Sequence, residues 1–216
     1  MQTHGFYIGM YIRTIKRKNK DGTEVEYIQL AHNSQHPEKG YTRAEVISSL
    51  NIPLVSVILP TYNRAWILRE AIDSVLSQNY PNIELIVVDD GSTDRTAELL
   101  ASYGDSIRVL SQKNKGVSAA RNAGIKKSRG KFIALLDSDD TWMQGKISCQ
   151  VEFFKNHPEA MICQTDEIWI RKGVRINPRK KHKKLSGMIF EPSLHLCLVS
   201  PSAVMMRRKL FELKGY

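Results

Sequence analysis

The chain has 216 residues, of which 42% are hydrophobic, and carries 32 Lys and Arg against 22 Asp and Glu for a formal net charge of +10. That is enough for one α/β domain of ordinary size plus an appendage, and the positive balance points to an anionic partner: nucleotide, phospholipid surface or nucleic acid. No apolar run approaches the roughly 18 residues of a transmembrane helix, and the N-terminus lacks the apolar segment of a signal peptide.

Residues 1–50 and 54–216 read as different kinds of chain. In the first block, Tyr11-Ile12-Arg13-Thr14-Ile15 and Val25-Glu26-Tyr27-Ile28-Gln29-Leu30 flank a charged segment containing Asp21-Gly22, a hairpin signal. Thr42-Arg43-Ala44-Glu45 has capping-box spacing ahead of Val46-Ile47, which predicts a short helix. These elements alone build little core. On these strings, residues 10–47 resemble the N-terminus of insertion-sequence transposases, and the resemblance implies a start supplied by an insertion element or gene fusion.

From Pro53 strands and helices alternate at short spacing. Val55–Leu59 is a strand, and Ile67, Leu68, Ala71, Ile72, Val75 and Leu76 keep one helical face apolar. Glu84–Val88 is a second strand, Thr93–Leu100 a helix with Asp94 in its first turn, Ile107–Leu110 a strand, and Val117–Lys126 a helix of small residues. Phe132–Leu136 is a further strand and Lys146–Phe154 a helix. The pattern predicts βαβ units in a mostly parallel, Rossmann-like sheet with right-handed crossovers, whose ligands bind beyond the carboxyl ends of the strands.

Four constellations fall at that edge. Pro60-Thr61-Tyr62-Asn63 follows the first strand; Thr61 and Asn63 can contact a base or cap a helix, and Tyr62 can stack, with capping of the next helix by Asn63 the preferred reading. Asp89-Asp90-Gly91-Ser92 follows the second strand; one carboxylate can accept hydrogen bonds from a base or ribose while the other supports the turn. Lys115 and Arg121 flank or lie in the small-residue helix, where either can face a diphosphate or be ordinary surface charge. Asp137-Ser138-Asp139-Asp140 crowds three acids into four positions, a self-repulsion that a cation or hydrogen bonds must offset. Asp137 and Asp139 can converge on a hard cation, Mg²⁺ or Mn²⁺, that shares its shell with ligand phosphates and water. There is no Gly-rich dinucleotide fingerprint, phosphate-binding P-loop or Gly-x-Ser-x-Gly elbow.

Those strings, with Asn114–Trp142 and Ser200–Arg208, make residues 54–216 resemble the family 2 glycosyltransferases, inverting enzymes of GT-A fold that use nucleotide-diphosphate sugars. The resemblance implies that Pro60, Thr61 and Tyr62 line the base pocket and that Asp89 hydrogen-bonds the base, uracil in related enzymes. It places Arg121 along the nucleotide-sugar cleft and makes Asp137 and Asp139 the Asp-x-Asp element, with Asp139 the stronger metal contact. It also implies a UDP-sugar donor, a saccharide or lipid-linked acceptor and a role in cell-surface polysaccharide synthesis. Trp142-Met143-Gln144 replaces the family's usual Trp-Leu-Pro. The family's general-base carboxylate is expected beyond Tyr216, so the resemblance implies donor binding with impaired transfer. Alternatives are an inactive nucleotide-sugar-binding remnant, a nucleotidyltransferase and, given the charge, a nucleic-acid-binding module.

Two features bear on location. Residues 171–184 hold eight Lys or Arg and no acid, read as a solvated loop or a peripheral contact with a membrane surface or polyanion. Cys149, Cys163 and Cys197 lack metal-ligand spacing and read as free thiols of a reducing compartment. The expectation is a cytoplasmic protein, with the basic run available to the inner face of the plasma membrane.

Overall fold

The computed structural model describes residues 10–18, 24–35, 42–50, 52–176, 184–196 and 198–215. The chain divides into two compact units, Met1–Ile52 and Pro53–Tyr216. In the first, β1 (Met10–Lys18), β2 (Glu24–Gln35) and β3 (Thr42–Leu50) form an antiparallel sheet in that order. β1 and β2 pair from Met10 opposite His32 to Lys18 opposite Glu24, the hairpin that the alternating sequence signals; its Asp21-Gly22 turn lies outside the described residues. The helix expected after Thr42 is instead β3, which pairs with β2 from Ile28 opposite Leu50 to Gln35 opposite Thr42. A capping box is a local signal, and a partner strand beside β-branched Thr42, Val46 and Ile47 overrides it.

The second unit runs β4 (Val55–Thr61), α1 (Leu68–Leu76), β5 (Ile83–Asp89), α2 (Thr96–Ala101), β6 (Arg108–Ser111), α3 (Val117–Lys127), β7 (Phe132–Leu135), α4 (Lys146–Asn156) and β8 (Ile162–Gln164). The hairpin β9 (Trp169–Arg171) and β10 (Val174–Ile176), α5 (Phe190–His195), β11 (Val204–Arg207) and α6 (Lys209–Lys214) follow. Six strands form one sheet in the order β6-β5-β4-β7-β11-β8. β4 to β7 are mutually parallel, and β11 runs antiparallel to both neighbours. The predicted mostly parallel α/β sheet is therefore present, with an antiparallel flank.

Successive residues of the central strands point to opposite faces, and both faces are covered. Val55, Val57 and Leu59 of β4 join Leu68, Ile72 and Val75 of α1 and Ile147 and Phe154 of α4 in one buried cluster. Ile58 joins Ile86, Val88 and Ile133 against Ala120 and Ile125 of α3 in the other. Burial on both faces is why these strands read as continuous apolar runs rather than as alternation. Close approach of α3 requires a missing side chain: a Cβ at Gly124 would lie 2.5 Å from Ile58 Cγ2 and 3.1 Å from Val88 Cγ2.

Because β4, β5 and β6 are parallel, their carboxyl ends share one edge, and register sets Thr61 beside Asp89 and Asp89 beside Ser111. Gly124→Ala overpacks the contact between α3 and the sheet and is expected to lower stability by about 1–3 kcal/mol, measured as a shift in the urea unfolding midpoint.

Candidate functional site

The loops leaving β4 and β5 are sewn together. Asp90 donates its backbone N–H to the Thr61 carbonyl at 2.9 Å, and Asn63 donates its own to Ser92 Oγ at 2.9 Å. Asn63 Oδ1 accepts from the N–H groups of Thr93 and Asp94 at 2.8 and 3.3 Å. Asn63 sits at φ 52°, the left-handed region that Asn tolerates better than most residues. This corrects the expected cap of the following helix: α1 has no side-chain cap, and the amide satisfies the loop ahead of α2. Asp94 lies just before α2 rather than within its first turn and accepts from the Thr96 N–H at 3.0 Å.

Adjacent carboxylates at the end of β5 face different tasks. Asp89 Oδ1 accepts from the Ser92 N–H at 2.9 Å and closes the turn. Asp90 accepts from Gln112 Nε2 at 2.6 Å, Lys115 N–H at 2.9 Å and Gly116 N–H at 2.8 Å. It thereby draws the 112–116 loop and the start of α3 onto the sheet edge. Burial pushes the Asp90 carboxyl upward, but these three hydrogen bonds outweigh it and hold the group below its ordinary range. Gly116, at φ 86°, makes the left-handed turn into α3.

Between these loops lies a cleft of about 280 Å³ lined by Pro60, Thr61, Tyr62, Arg64, Asp90, Asn114, Gly116, Val117, Ala120 and Ser138. Three residues predicted to meet a base, Pro60, Thr61 and Tyr62, are thus together on its wall. Asp89 is not on that wall; Asp90 is. Thr61 is 3% exposed, and among the described residues its buried Oγ1 has no hydrogen-bond partner, an exception among buried polar groups. Tyr62 is 46% exposed, with its ring available for stacking.

The acidic loop after β7 gives each carboxylate its own partner. Asp137 pairs with Arg121 Nη2 at 2.5 Å, and Arg121 Nε is buried without a hydrogen-bond partner among the described residues. Asp139 Oδ2 lies 3.9 Å from Arg64 Nη1, and its side chain is 51% exposed. Asp140 Oδ2 accepts from Ser202 Oγ at 2.5 Å. The Asp140 carboxyl is raised, first by burial and then by the charges of Asp139, Asp137 and Glu167, against the lowering effect of the Ser202 hydrogen bond. Repulsion among the acids is therefore offset by two arginines and a serine.

Among the described residues no three His, Cys, Asp or Glu side chains form a self-sufficient metal cage. The donor set fits a different kind of site. A half-exposed carboxylate at Asp139, next to Ser138 and Arg64 on the cleft wall, suits a hard cation that takes its remaining ligands from phosphate and water. Glu167 is ion-paired with Lys184 at 2.9 Å. Arg64 and Ser202 were not legible as site residues. Arg64 had only its place after Asn63 at a strand end as a signal, and Ser202, distant in sequence, had none. Cys149 and Cys163 are free thiols, and Cys197 lies outside the described residues.

Comparison with known proteins follows the same boundaries. Residues 56–213 match the family model for glycosyl transferase family 2. An uncharacterized glycosyltransferase of Rickettsia prowazekii is 38% identical over 172 residues, covering 74% of this chain and 54% of that protein, so the chain spans about half that relative's length. An Escherichia coli protein named UDP-Glc:alpha-D-GlcNAc-diphosphoundecaprenol beta-1,3-glucosyltransferase is 44% identical over 105 residues, covering 47% of this chain and 41% of that protein. The structure of S. aureus TarS 1-349 in complex with UDP-GlcNAc matches with a TM-score of 0.62 at 26% identity, covering 74% of this chain and 46% of that one.

The hydrogen bonds to Asp90 define a pH dependence. Its carboxyl is depressed in the folded chain, so its contribution is present above the ordinary aspartate value of about 4 and is lost as pH falls through the lower folded value. Asp90→Asn lowers the melting temperature at neutral pH, and the gap from wild type narrows on acidification below about pH 4; a melting-temperature series against pH reads both effects.

Proposed function

The chain belongs to glycosyl transferase family 2, and we propose that it binds a nucleotide-diphosphate sugar, with a UDP-sugar the leading candidate, for inverting transfer to a saccharide or lipid-linked acceptor in cell-surface polysaccharide synthesis. The observation that carries this reading is the cleft at the parallel strand ends, where Pro60, Thr61 and Tyr62 at the end of β4 and the ionised Asp90 at the end of β5 line one space beside the start of α3. The fold likeness to a UDP-GlcNAc complex and the UDP-Glc named for the E. coli relative support a uridine nucleotide.

The roles proposed are donor-side roles. Tyr62 stacks on the base, with Pro60 forming the adjacent wall and the Thr61 hydroxyl donating or accepting at its edge. Asp90 has three of its roughly four lone-pair sites filled by loop donors and turns the remaining acceptor to a base N–H. The base-reading role that the family resemblance assigned to Asp89 passes to Asp90, while Asp89 holds the turn. The first turn of α3, at Gly116, Val117 and Ala120, presents its positive end to the diphosphate. Asp137 holds the Arg121 guanidinium in one orientation beside the acidic loop, from which it can face the same anion.

Asp139, with Asp137 adjacent, would hold Mg²⁺ or Mn²⁺. When bound, that cation supplies Lewis-acid neutralisation of the departing diphosphate. Arg64, at the cleft and near Asp139, adds a positive charge on the same side.

We further infer peripheral contact with an anionic membrane through the β9–β10 hairpin. Ile170 is 69% and Val174 65% exposed. Each pairs across the hairpin with an exposed base, Ile170 with Arg175 and Val174 with Arg171. Exposed aliphatic side chains interleaved with cations suit the boundary of anionic headgroups and acyl chains. Of the rest of the basic run, 177–183 lies outside the described residues and Lys184 is ion-paired with Glu167. Among the described residues no helix is long and apolar enough to cross a membrane.

Titrating UDP into the protein with Mn²⁺ by calorimetry tests the donor reading. Wild type binds, and Asp139→Asn loses at least about tenfold in Mn²⁺-dependent affinity; absence of binding by wild type overturns it. Thr61→Val removes a hydroxyl that has no hydrogen-bond partner among the described residues, so folding stability is unchanged or rises while UDP affinity falls about fivefold. For the hairpin, wild type co-sediments with vesicles containing phosphatidylglycerol but not with pure phosphatidylcholine. Replacing both Ile170 and Val174 by Asp lowers that binding at least about tenfold.

A further inference from the structure

Ser202 sits 62 positions from Asp140, at the entry to the antiparallel strand β11, yet it contacts the acidic loop at several points. Its Oγ accepts the Asp137 N–H at 3.0 Å and donates to Asp140 Oδ2 at 2.5 Å. Its carbonyl accepts Trp142 Nε1–H at 2.7 Å. The residue is itself fixed: it lies 9% exposed in the 3₁₀ turn Pro201–Ala203. The next carbonyl, of Ala203, accepts from Gln150 Nε2 at 3.0 Å and from the Thr165 N–H at 3.2 Å.

These bonds bracket Ser138-Asp139 from both sides. Residues 137, 140 and 142 are tied to Ser202, and the Asp140 N–H closes a turn onto the Asp137 carbonyl at 3.1 Å. Of the three acids, Asp137 is claimed by Arg121 and Asp140 by Ser202. Asp139 is left half exposed, and among the described residues its one ion pair is the long contact to Arg64. The serine hydroxyl suits both jobs because it donates and accepts at once.

We propose that Ser202 is a positioning residue that selects Asp139 as the cation-binding carboxylate, by holding Asp140 away and fixing the backbone at Asp137. This rests on the donor reading given above. Hydrogen bonds behind a ligand set its orientation, and their loss typically costs about 10- to 100-fold in metal affinity. Without the hydroxyl, the Asp137 N–H and Asp140 carboxylate lose their shared partner, and the acidic loop has two carboxylates competing for one cation.

The test is calorimetric UDP binding to the full chain with and without Mn²⁺, for wild type, Ser202→Ala, Ser202→Thr and Asp140→Asn, with unfolding midpoints measured in parallel. Ser202→Ala is expected to lower UDP affinity in Mn²⁺ by about 10- to 100-fold while leaving metal-free UDP affinity unchanged. Ser202→Thr keeps a hydroxyl and restores the Mn²⁺ enhancement. Asp140→Asn keeps an acceptor oxygen for Ser202 and retains the enhancement, which keeps the proposal testable if Ser202→Ala fails to fold. A folded Ser202→Ala with the full enhancement overturns the proposal, as does equal weakening with and without metal. Loss of the enhancement in Asp140→Asn overturns it too, by making Asp140 itself a ligand. If wild type shows no Mn²⁺-dependent UDP binding, the donor reading falls first and this inference with it.

Discussion

Three carboxylates within four positions of one loop repel one another, and the arrangement of the strand-end site follows from how that repulsion is divided. Asp137 is taken by Arg121, Asp140 by Ser202, and Asp139 stands 3.9 Å from Arg64 with no closer partner among the described residues. Each partner comes from a different part of the chain: α3, the entry to β11 and the loop after β4. The acidic loop thus joins the parallel half of the sheet to its antiparallel flank. An apolar loop in its place would have no reason to draw those elements to one point.

A second carboxylate does comparable work on the other side of the cleft. Asp90 gathers Gln112, Lys115 and Gly116 and so sets where α3 begins. That helix in turn lies close on the sheet because Gly124 leaves room for Ile58 and Val88. The cleft is the space left between a helix drawn in by Asp90 and an acidic loop held by Ser202. Thr61, one of the residues on its wall, carries a buried hydroxyl with no hydrogen-bond partner among the described residues.

The fold was largely legible because its signals are periodic and local. Buried runs such as Val55–Leu59 and Glu84–Val88, alternating with apolar helical faces, specify parallel strands covered on both sides, and the structure has them. The exception is β3. Thr42-Arg43-Ala44-Glu45 carries a helix-start pattern, but whether Val46 and Ile47 join a helix or a strand depended on the availability of β2, a pairing that spacing within the segment does not encode. The site was legible as a set of residue types at strand ends, not as a set of partnerships. Asp89 and Asp90 are adjacent and chemically identical; the strand pleat turns them to opposite sides, and only the tertiary structure decides that the 112–116 loop and α3, and with them the cleft, lie on the side of Asp90. Its own helix is the nearer target for the Asn63 amide, but the left-handed backbone at Asn63 turns it to the next loop instead.

What the sequence by itself determined is the alternation of strand and helix, the edge where polar groups collect, and the kinds of chemistry they offer: carboxylates for a hard cation, an aromatic ring for a base, arginines for an anion. These follow from side-chain period and from the polarity of parallel strands. What only the tertiary structure decided is which member of each acidic cluster is engaged and by whom. Arg121 with Asp137, Arg64 with Asp139 and Ser202 with Asp140 are contacts between segments far apart in the chain. A hydrogen bond a few ångströms long depends on the packing of whole elements, which a local pattern of residues does not contain.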